Sequence, residues 1–469
     1  MKNWSKYQLA VFGDVADGTG HTVVNAVAGS GKSSTLEAAA DHIPAGKRSM
    51  YVAFNKPIAE DMGRRMQGKR GVEVSTLHSY GLRTITSGLG RLQIDARRVD
   101  DMCVEIHGDG QETFDMRRDL AKIVSLSKGC LSTTAEEVDA LIDQFGADSV
   151  NGNRPQFVED VLTVLQRCRN VADGRIDFDD MVWLPVVLGL SQRKFDRVNV
   201  DETQDLNSAQ IELVLRAVGQ GGRILAVGDP RQAIYRVRGA DHNAFGNVKS
   251  RLGASELPLS VCYRCCRAVV RHVQWIVPGI EAAPDAEEGE VLHASYEQMH
   301  DGARPGDFIL SRSNAPLIGL CMAFLKEGRR ASIKGRDVGA SLKAFVKKSR
   351  ASTIPDLRDY VEKWVKEECA RLAKKRRDAQ AIEDRGACIL ALSEGAKDIG
   401  DVLASIDALF ADKDDRSQIV LSTTHKAKGL ERDRVWLLRS TYLRSDENEE
   451  ECLYYVACTR AKKVLVLVE

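Results

Sequence analysis

Val23-Val24-Asn25-Ala26-Val27-Ala28-Gly29-Ser30-Gly31-Lys32-Ser33-Ser34-Thr35 is the stretch from which the fold can be read. A β-branched run enters a loop of small residues, and a Ser/Thr run then opens an alanine-rich segment. That order predicts a strand, a turn and a helix N-terminus, which together make an anion site. Glycines let backbone N–H groups close around a phosphate, and the first helical turn adds partial positive charge. Ala28, Gly29, Ser30, Gly31, Lys32, Ser33 and Ser34 form the candidate nucleotide-binding set. Lys32 is placed to neutralise β- and γ-phosphates, and Ser33 to ligate Mg²⁺. The first position of the pattern G-x-x-x-x-G-K-[ST] is Ala26 here, not glycine. A Gly-Ser turn before an ordinary helix is the plainer alternative, and the flanking strand and helix argue against it.

Working outward, strands and helices alternate. Val23–Val27, Ser49–Phe54 and Val72–Thr76 read as strands, with helices over Ser33–His42 and Pro57–Met66. This rhythm predicts a doubly wound parallel sheet. From Leu82 to Arg169 the pattern becomes helical, then strands resume at Arg197–Val200 and Arg223–Val227. A break falls around Leu257-Pro258-Leu259-Ser260, and a second α/β region begins with Phe308–Ser311. Residues 338–412 lose strands again, with Leu357, Tyr360, Val361, Trp364 and Val365 on one helical face. Strands return at Gln418–Thr423, Arg434–Leu438 and Lys463–Val468. The fold class expected is α/β: two parallel-sheet domains, each with a mainly helical insertion.

Bulk properties narrow the function classes. Lys+Arg and Asp+Glu both number 67, so a polyanionic partner would have to meet a local basic surface. One such run lies between Lys334 and Arg377, where 14 Lys/Arg face 6 Asp/Glu; a solvated helix face and a phosphate contact both fit it. The longest apolar stretch, Met181–Leu190, contains Pro185 and is far shorter than the ~20 residues of a membrane span. No membrane partner is expected, and Met1–Lys6 lacks the apolar core of a secretion signal. Eleven cysteines without a framework fit a reducing, cytoplasmic setting. Cys262, Cys265, Cys266 and His272 lack a second C-x-x-C pair, so no metal held by protein ligands alone is expected.

Val198-Asn199-Val200-Asp201-Glu202-Thr203-Gln204-Asp205 places two adjacent carboxylates at the C-terminal end of a strand, where open parallel sheets bind ligands. Asp201 is suited to holding Mg²⁺, and Glu202 to orienting and deprotonating an attacking water. With the phosphate loop, these residues predict hydrolysis of a nucleoside triphosphate.

Asp-Glu-x-Gln-Asp resembles motif II of superfamily 1 DNA helicases of the UvrD/Rep/PcrA type, in feel closest to the branch with the F-box DNA helicase and related phage proteins. Ordered blocks extend the resemblance over nearly the whole chain. Gln8 sits where the family has its adenine-reading glutamine. Ala53-Phe54-Asn55-Lys56-Pro57 is similar to motif Ia and Thr76-Leu77-His78-Ser79-Tyr80 to motif Ib, both implying contact with single-stranded DNA. Gly228 to Ala240 resembles motif III, whose glutamine, here Gln232, would sense the γ-phosphate. Tyr263-Arg264 resembles motif IV, Ser422 to Glu431 motif V, and Tyr455 to Lys462 motif VI. Arg264 would reach the γ-phosphate and Arg460 would be an arginine finger; Glu431 joins the nucleotide set. Val237 replaces the usual base-stacking tryptophan, leaving Phe54, His78, Tyr80 and Tyr235 as candidate aromatics for DNA. Asn55, Lys56, Arg238, His425 and Lys428 complete that set.

The resemblance implies RecA-like ATPase domains at residues 1–85 with 170–255, and at 256–337 with 413–469. Helical insertions would fill 86–169 and 338–412. It implies an ATP- and Mg²⁺-dependent translocase and helicase, 3′→5′ in polarity, closing a cleft at each turnover. Its partners would be single-stranded DNA, tailed or forked duplexes and proteins of replication or repair, with the chain acting as a monomer. A protein-displacing or strand-clearing module that unwinds little is the competing expectation, because the second insertion is short.

Overall fold

The computed structural model describes residues 3–53, 55–147, 153–234, 243–374, 379–411, 416–442 and 447–469. The chain divides into two compact units, Met1–Ser260 and Val261–Glu469.

In the first unit six parallel strands form one sheet, in the order Val72–Thr76, Ser49–Ala53, Phe195–Val200, Val218–Gly228, Thr22–Ala26 and Ser255–Leu259. Strand alternation sends successive side chains to opposite faces, and here both faces are buried. Val24, Tyr51 and Leu225 join one core with Val11, Phe12 and Leu36. Their neighbours Val23, Met50, Val52, Ile224 and Ala226 join another with Leu213 and Phe245. Helices cover both faces, as a parallel sheet requires.

The expected boundary at residue 255 is corrected by strand pairing. Ser255–Leu259 lies beside Thr22–Ala26, with Thr22 opposite Ser255 and Asn25 opposite Pro258. Pro258 reads as a breaker, yet this is the sheet's edge strand, where a missing N–H leaves no ladder bond unmade. The first unit therefore runs to Ser260.

Helices Arg98–His107, Phe114–Cys130, Ala135–Phe145 and Arg154–Arg169 surround a core that includes Leu120, Ile123, Val138, Phe157 and Val161 and extends to Ile85, Met181 and Trp183. Buried ion pairs fasten this group to helix Asp180–Val187. Arg98 Nη1 donates to Asp180 at 2.8 Å, and Lys128 Nζ lies 2.6 Å from Asp177 and 2.8 Å from Asp180. Each carboxylate is answered inside the same cluster, the condition under which buried charge is tolerated. Helix Leu77–Leu89 crosses the same element so closely that a Cβ on Gly81 would lie 1.8 Å from the Met181 carbonyl oxygen.

The second unit carries seven parallel strands, in the order Glu290–Ala294, Ala461–Val468, Arg432–Leu438, Phe308–Ser311, Ile419–Thr423, Ala331–Lys334 and Phe410–Ala411. The helices between Arg336 and Leu409 do not build a separate core. Leu342, Phe345, Val361, Ile389 and Ile406 pack into the same cluster as Ile309, Ile333 and Leu421 of the sheet. Leu357 and Val361 are fully buried on the face that the helical spacing predicts, with Tyr360, Trp364 and Val365 packed alongside. Part of the basic run is paired within this unit: Lys343 contacts Asp407 and Arg371 contacts Glu368. No described helix is long and apolar enough to cross a membrane.

Candidate active site

The phosphate loop leaves strand Thr22–Ala26 and enters helix Lys32–Ala39. Gly29 and Gly31 hold φ of 69° and 77°, the left-handed region that glycine enters without steric cost. Gly31 is also the helix N-cap, so the first free N–H groups open onto the loop. Thr35 Oγ1 turns inward, donating to the Gly31 carbonyl at 2.9 Å and accepting from Gln8 Nε2 at 3.0 Å.

Gln8 is buried, and its Oε1 accepts from the Ser5 N–H at 3.1 Å in a capping box. One end of its amide thus closes the cap of its own helix, and the other ties that helix to the phosphate-loop helix.

Two carboxylates face the loop. Ser33 Oγ donates to Asp201 Oδ2 at 3.3 Å, and Lys32 Nζ lies 3.8 Å from Glu202 Oε1. Asp201 is buried at the end of strand Phe195–Val200. Burial, then the neighbouring Glu202 charge, push its carboxyl up to about 6 against the opposing pull of Lys32. A hydroxyl and a buried carboxylate side by side, with a second carboxylate next to them, are a hard-oxygen donor set that fits Mg²⁺.

Glu202 adopts φ 52°, left-handed backbone in a non-glycine residue. Such a conformation costs about 1–3 kcal/mol and persists only where its surroundings over-determine it. Here the surroundings are a chain of hydrogen bonds. Gln204 Nε2 donates to Glu202 Oε2 at 2.5 Å, and Gln204 Oε1 accepts from the Asp229 N–H at 2.9 Å. Asp229 Oδ2 then accepts from Gln232 Nε2 at 2.6 Å, and its Oδ1 from the Arg231 N–H at 3.0 Å. Burial raises the Asp229 carboxyl, with Lys32 and Gln232 opposing. A side chain at Gly228 would meet Gln204 Oε1 at 2.6 Å. The loop carboxylates and Gln232 are therefore members of one network.

Gln204 and Asp229 are the residues that spacing missed. Both stand inside the quoted motifs, but their partnership depends on two strands being neighbours in the sheet.

In the second unit Arg264 Nε donates to Glu431 Oε2 at 2.7 Å, and Lys462 lies 3.6 Å from the same carboxylate. Burial works against ionisation of Glu431, but Arg264 and Lys462 outweigh it and lower its pKa. Glu431 is thus engaged with cations of its own unit. Arg460 is buried and donates to the Val456 carbonyl at 2.8 Å, the Leu430 carbonyl at 3.3 Å and Thr459 Oγ1 at 3.2 Å.

The candidate nucleic-acid contacts divide. Asn55 and Lys56 are exposed at the C-terminal edge of the first sheet, Asn55 capping its helix through the Ile58 N–H. His78 is half-buried, and burial lowers its pKa against the pull of Asp179. His425 and Lys428 are partly exposed after strand Ile419–Thr423. Tyr80 is a correction. It is 2% exposed, and its hydroxyl donates to the Arg193 carbonyl at 2.7 Å. Leu77, Tyr80, Gly81 and Thr84 share the inward face of their helix, spaced as helical geometry dictates. Phe54, Tyr235 and Arg238 lie outside the described residues, as does Val237. Among the described residues no group of three or more His, Cys, Asp or Glu is placed to hold a metal ion.

Residues 13–252 match the UvrD/REP helicase N-terminal domain, and residues 312–469 match the UvrD-like helicase C-terminal domain. The chain is 28% identical over 288 residues to the ATP-dependent DNA helicase PcrA of Bacillus subtilis, covering 55% of this chain and 37% of the relative. It is 27% identical over 259 residues to the ATP-dependent DNA helicase Rep of Escherichia coli, covering 47% and 36%. The chain thus spans little more than a third of the length of these relatives. On the strength of both domain matches, it belongs to the UvrD/REP helicase family.

Proposed function

We propose that the protein is an ATP-dependent translocase on single-stranded DNA and a DNA helicase of 3′→5′ polarity. The observation that carries this reading is the continuous path Glu202–Gln204–Asp229–Gln232 beside Lys32 and Ser33. Lys32 neutralises the phosphate chain, and Glu202 accepts a proton from the attacking water. Ser33 and Asp201 would hold Mg²⁺, which when bound supplies charge neutralisation at the phosphates. Gln204 fixes the Glu202 carboxylate, and Asp229 fixes the Gln232 amide, so loss of the γ-phosphate is felt along one chain of hydrogen bonds. Arg264 and Arg460 contribute further positive charge, and Gln8 reads the adenine; each gives up a present partner to do so. DNA is gripped by Asn55, Lys56, His78, His425 and Lys428.

A second reading rests on the helices between Arg336 and Leu409. Sharing the core of their own sheet, they are built as part of that unit. This favours an enzyme that moves along a strand and clears bound protein while separating little duplex. Tailed duplexes decide between the readings. Unwinding of 3′-tailed but not 5′-tailed DNA supports the helicase; displacement of a protein roadblock without unwinding supports the clearing module. Neither activity with ATP present sinks both.

A further inference from the structure

Cys262-Tyr263-Arg264-Cys265 places two thiols on either side of Arg264. Cys262 ends the short strand Val261–Cys262, and Cys265 lies in the turn before helix Arg267–Val273. The Cys265 N–H donates to Cys262 Sγ at 3.4 Å, which folds this four-residue segment back on itself and brings the two side chains to the same place. Cys265 Sγ donates to the Thr459 carbonyl at 3.6 Å, the same oxygen that Arg264 Nη1 approaches at 3.4 Å. Cys266 is directed elsewhere, donating to the Lys463 carbonyl at 3.3 Å. The thiol pair and the arginine therefore share one set of supports.

We propose that Cys262 and Cys265 form a reversible disulfide that displaces Arg264 and slows ATP turnover. The significance of Arg264 rests on the function proposed above; formation of the disulfide does not. The two thiols are chemically unequal. The neighbouring Cys265 thiol, then the N–H groups of Cys265 and Arg264 and the guanidinium, hold the Cys262 thiol below its ordinary value against the opposing effect of burial. The same contact, with burial, pushes Cys265 well up. By contrast, burial pushes Cys103, Cys321 and Cys458 up to about 12, the condition of inert core thiols.

Both sulfurs are buried, so the oxidant must be small; hydrogen peroxide is the size of a solvent molecule. The Cys262 thiolate attacks one peroxide oxygen, forming a sulfenic acid and releasing hydroxide, which takes up the thiol's proton as water. The Cys265 thiol then attacks Cys262 Sγ, and the sulfenic oxygen leaves with the second proton as water. Two thiols and one peroxide give one disulfide and two waters. The S–S bond, about 2.05 Å long, draws the ends of the Tyr263-Arg264 turn together, and Cys265 loses the proton it shares with Thr459.

The test uses the full chain carrying Cys266→Ser, so that the pairing is unambiguous. Trypsin cuts after Arg264, leaving Cys262 and Cys265 on different peptides. After treatment with hydrogen peroxide, the peptide Leu252–Arg264 should be found linked to the one beginning at Cys265. ATP turnover should fall about tenfold or more, the scale of a misplaced catalytic group, and a dithiol reductant should restore it. Cys262→Ser and Cys265→Ser should each turn over ATP like the parent and ignore peroxide. Absence of the linked peptide overturns the proposal at a dose that oxidises a free dithiol peptide. A linked peptide with unchanged turnover overturns it as well. If the reduced protein does not hydrolyse ATP, the proposed function fails, and the linked peptide still decides whether the thiols pair.

Discussion

Gln204 is the strut of Glu202: its amide nitrogen donates to the Glu202 carboxylate at 2.5 Å while its carbonyl oxygen is anchored on the Asp229 N–H. A carboxylate on left-handed backbone gains one defined orientation from such an anchor. Gln204→Ala should lower the rate of ATP hydrolysis roughly ten- to hundredfold, the cost of losing a residue that orients a functional ligand. Binding of a fluorescent ATP analogue should change little. A matching loss of analogue binding would assign Gln204 to nucleotide binding instead.

The Asp201 carboxyl gives a pH signature. Its folded pKa, about 6, lies above the ordinary 3.8, so between those values the folded chain binds more protons than the unfolded one. Stability then falls as pH rises through this window, because a buried carboxylate must be left charged. Asp201→Asn removes that burden. Without nucleotide or Mg²⁺, the variant should melt above the wild type at pH 7, and the difference should shrink as pH falls from about 6 towards 4. Thermal unfolding of both proteins across that range checks it; a pH-independent difference would contradict the buried-charge account.

Tyr80 should report on folding and not on DNA. Removing its hydroxyl strands the Arg193 carbonyl, so Tyr80→Phe should cost about 1 kcal/mol in a denaturant titration. Affinity for single-stranded DNA should stay that of the wild type, whereas Lys56→Ala, at the exposed start of helix Lys56–Arg65, should weaken it.

Gly81 sets the distance between two helices. The Met181 carbonyl occupies the space of any added side chain, so Gly81→Ala should destabilise the first unit by about 3 kcal/mol, read as a lowered unfolding midpoint. A neutral result would mean that the two helices separate without cost.

Much of this molecule was legible in its sequence, for identifiable reasons. Strands Val72–Thr76 and Phe308–Ser311 run between the residues expected, because apolar runs bounded by turn formers locate them. The strand, turn and helix around Lys32 were legible because a β-branched run, a glycine turn and an alanine-rich segment follow one another. Strand Ser255–Leu259 was not, since Pro258 breaks a central strand but not an edge one, and edge position is a property of the sheet. Tyr80 was misread because a motif names residues without saying which helix face turns inward. The Gln204–Asp229 contact was invisible because it joins two strands separated by a helix. The second unit's shared core was hidden for the same reason: spacing shows the apolar face of helix Ile354–Lys374, not what covers it.

The most direct test is ATP hydrolysis by the wild type and by Glu202→Gln, each with and without oligo(dT). The account predicts that single-stranded DNA stimulates the wild type strongly. Glu202→Gln should bind ATP and DNA yet turn over at least about a hundredfold more slowly, having lost its general base. Wild-type turnover indifferent to DNA, or a Glu202→Gln variant that hydrolyses ATP like the parent, would contradict it.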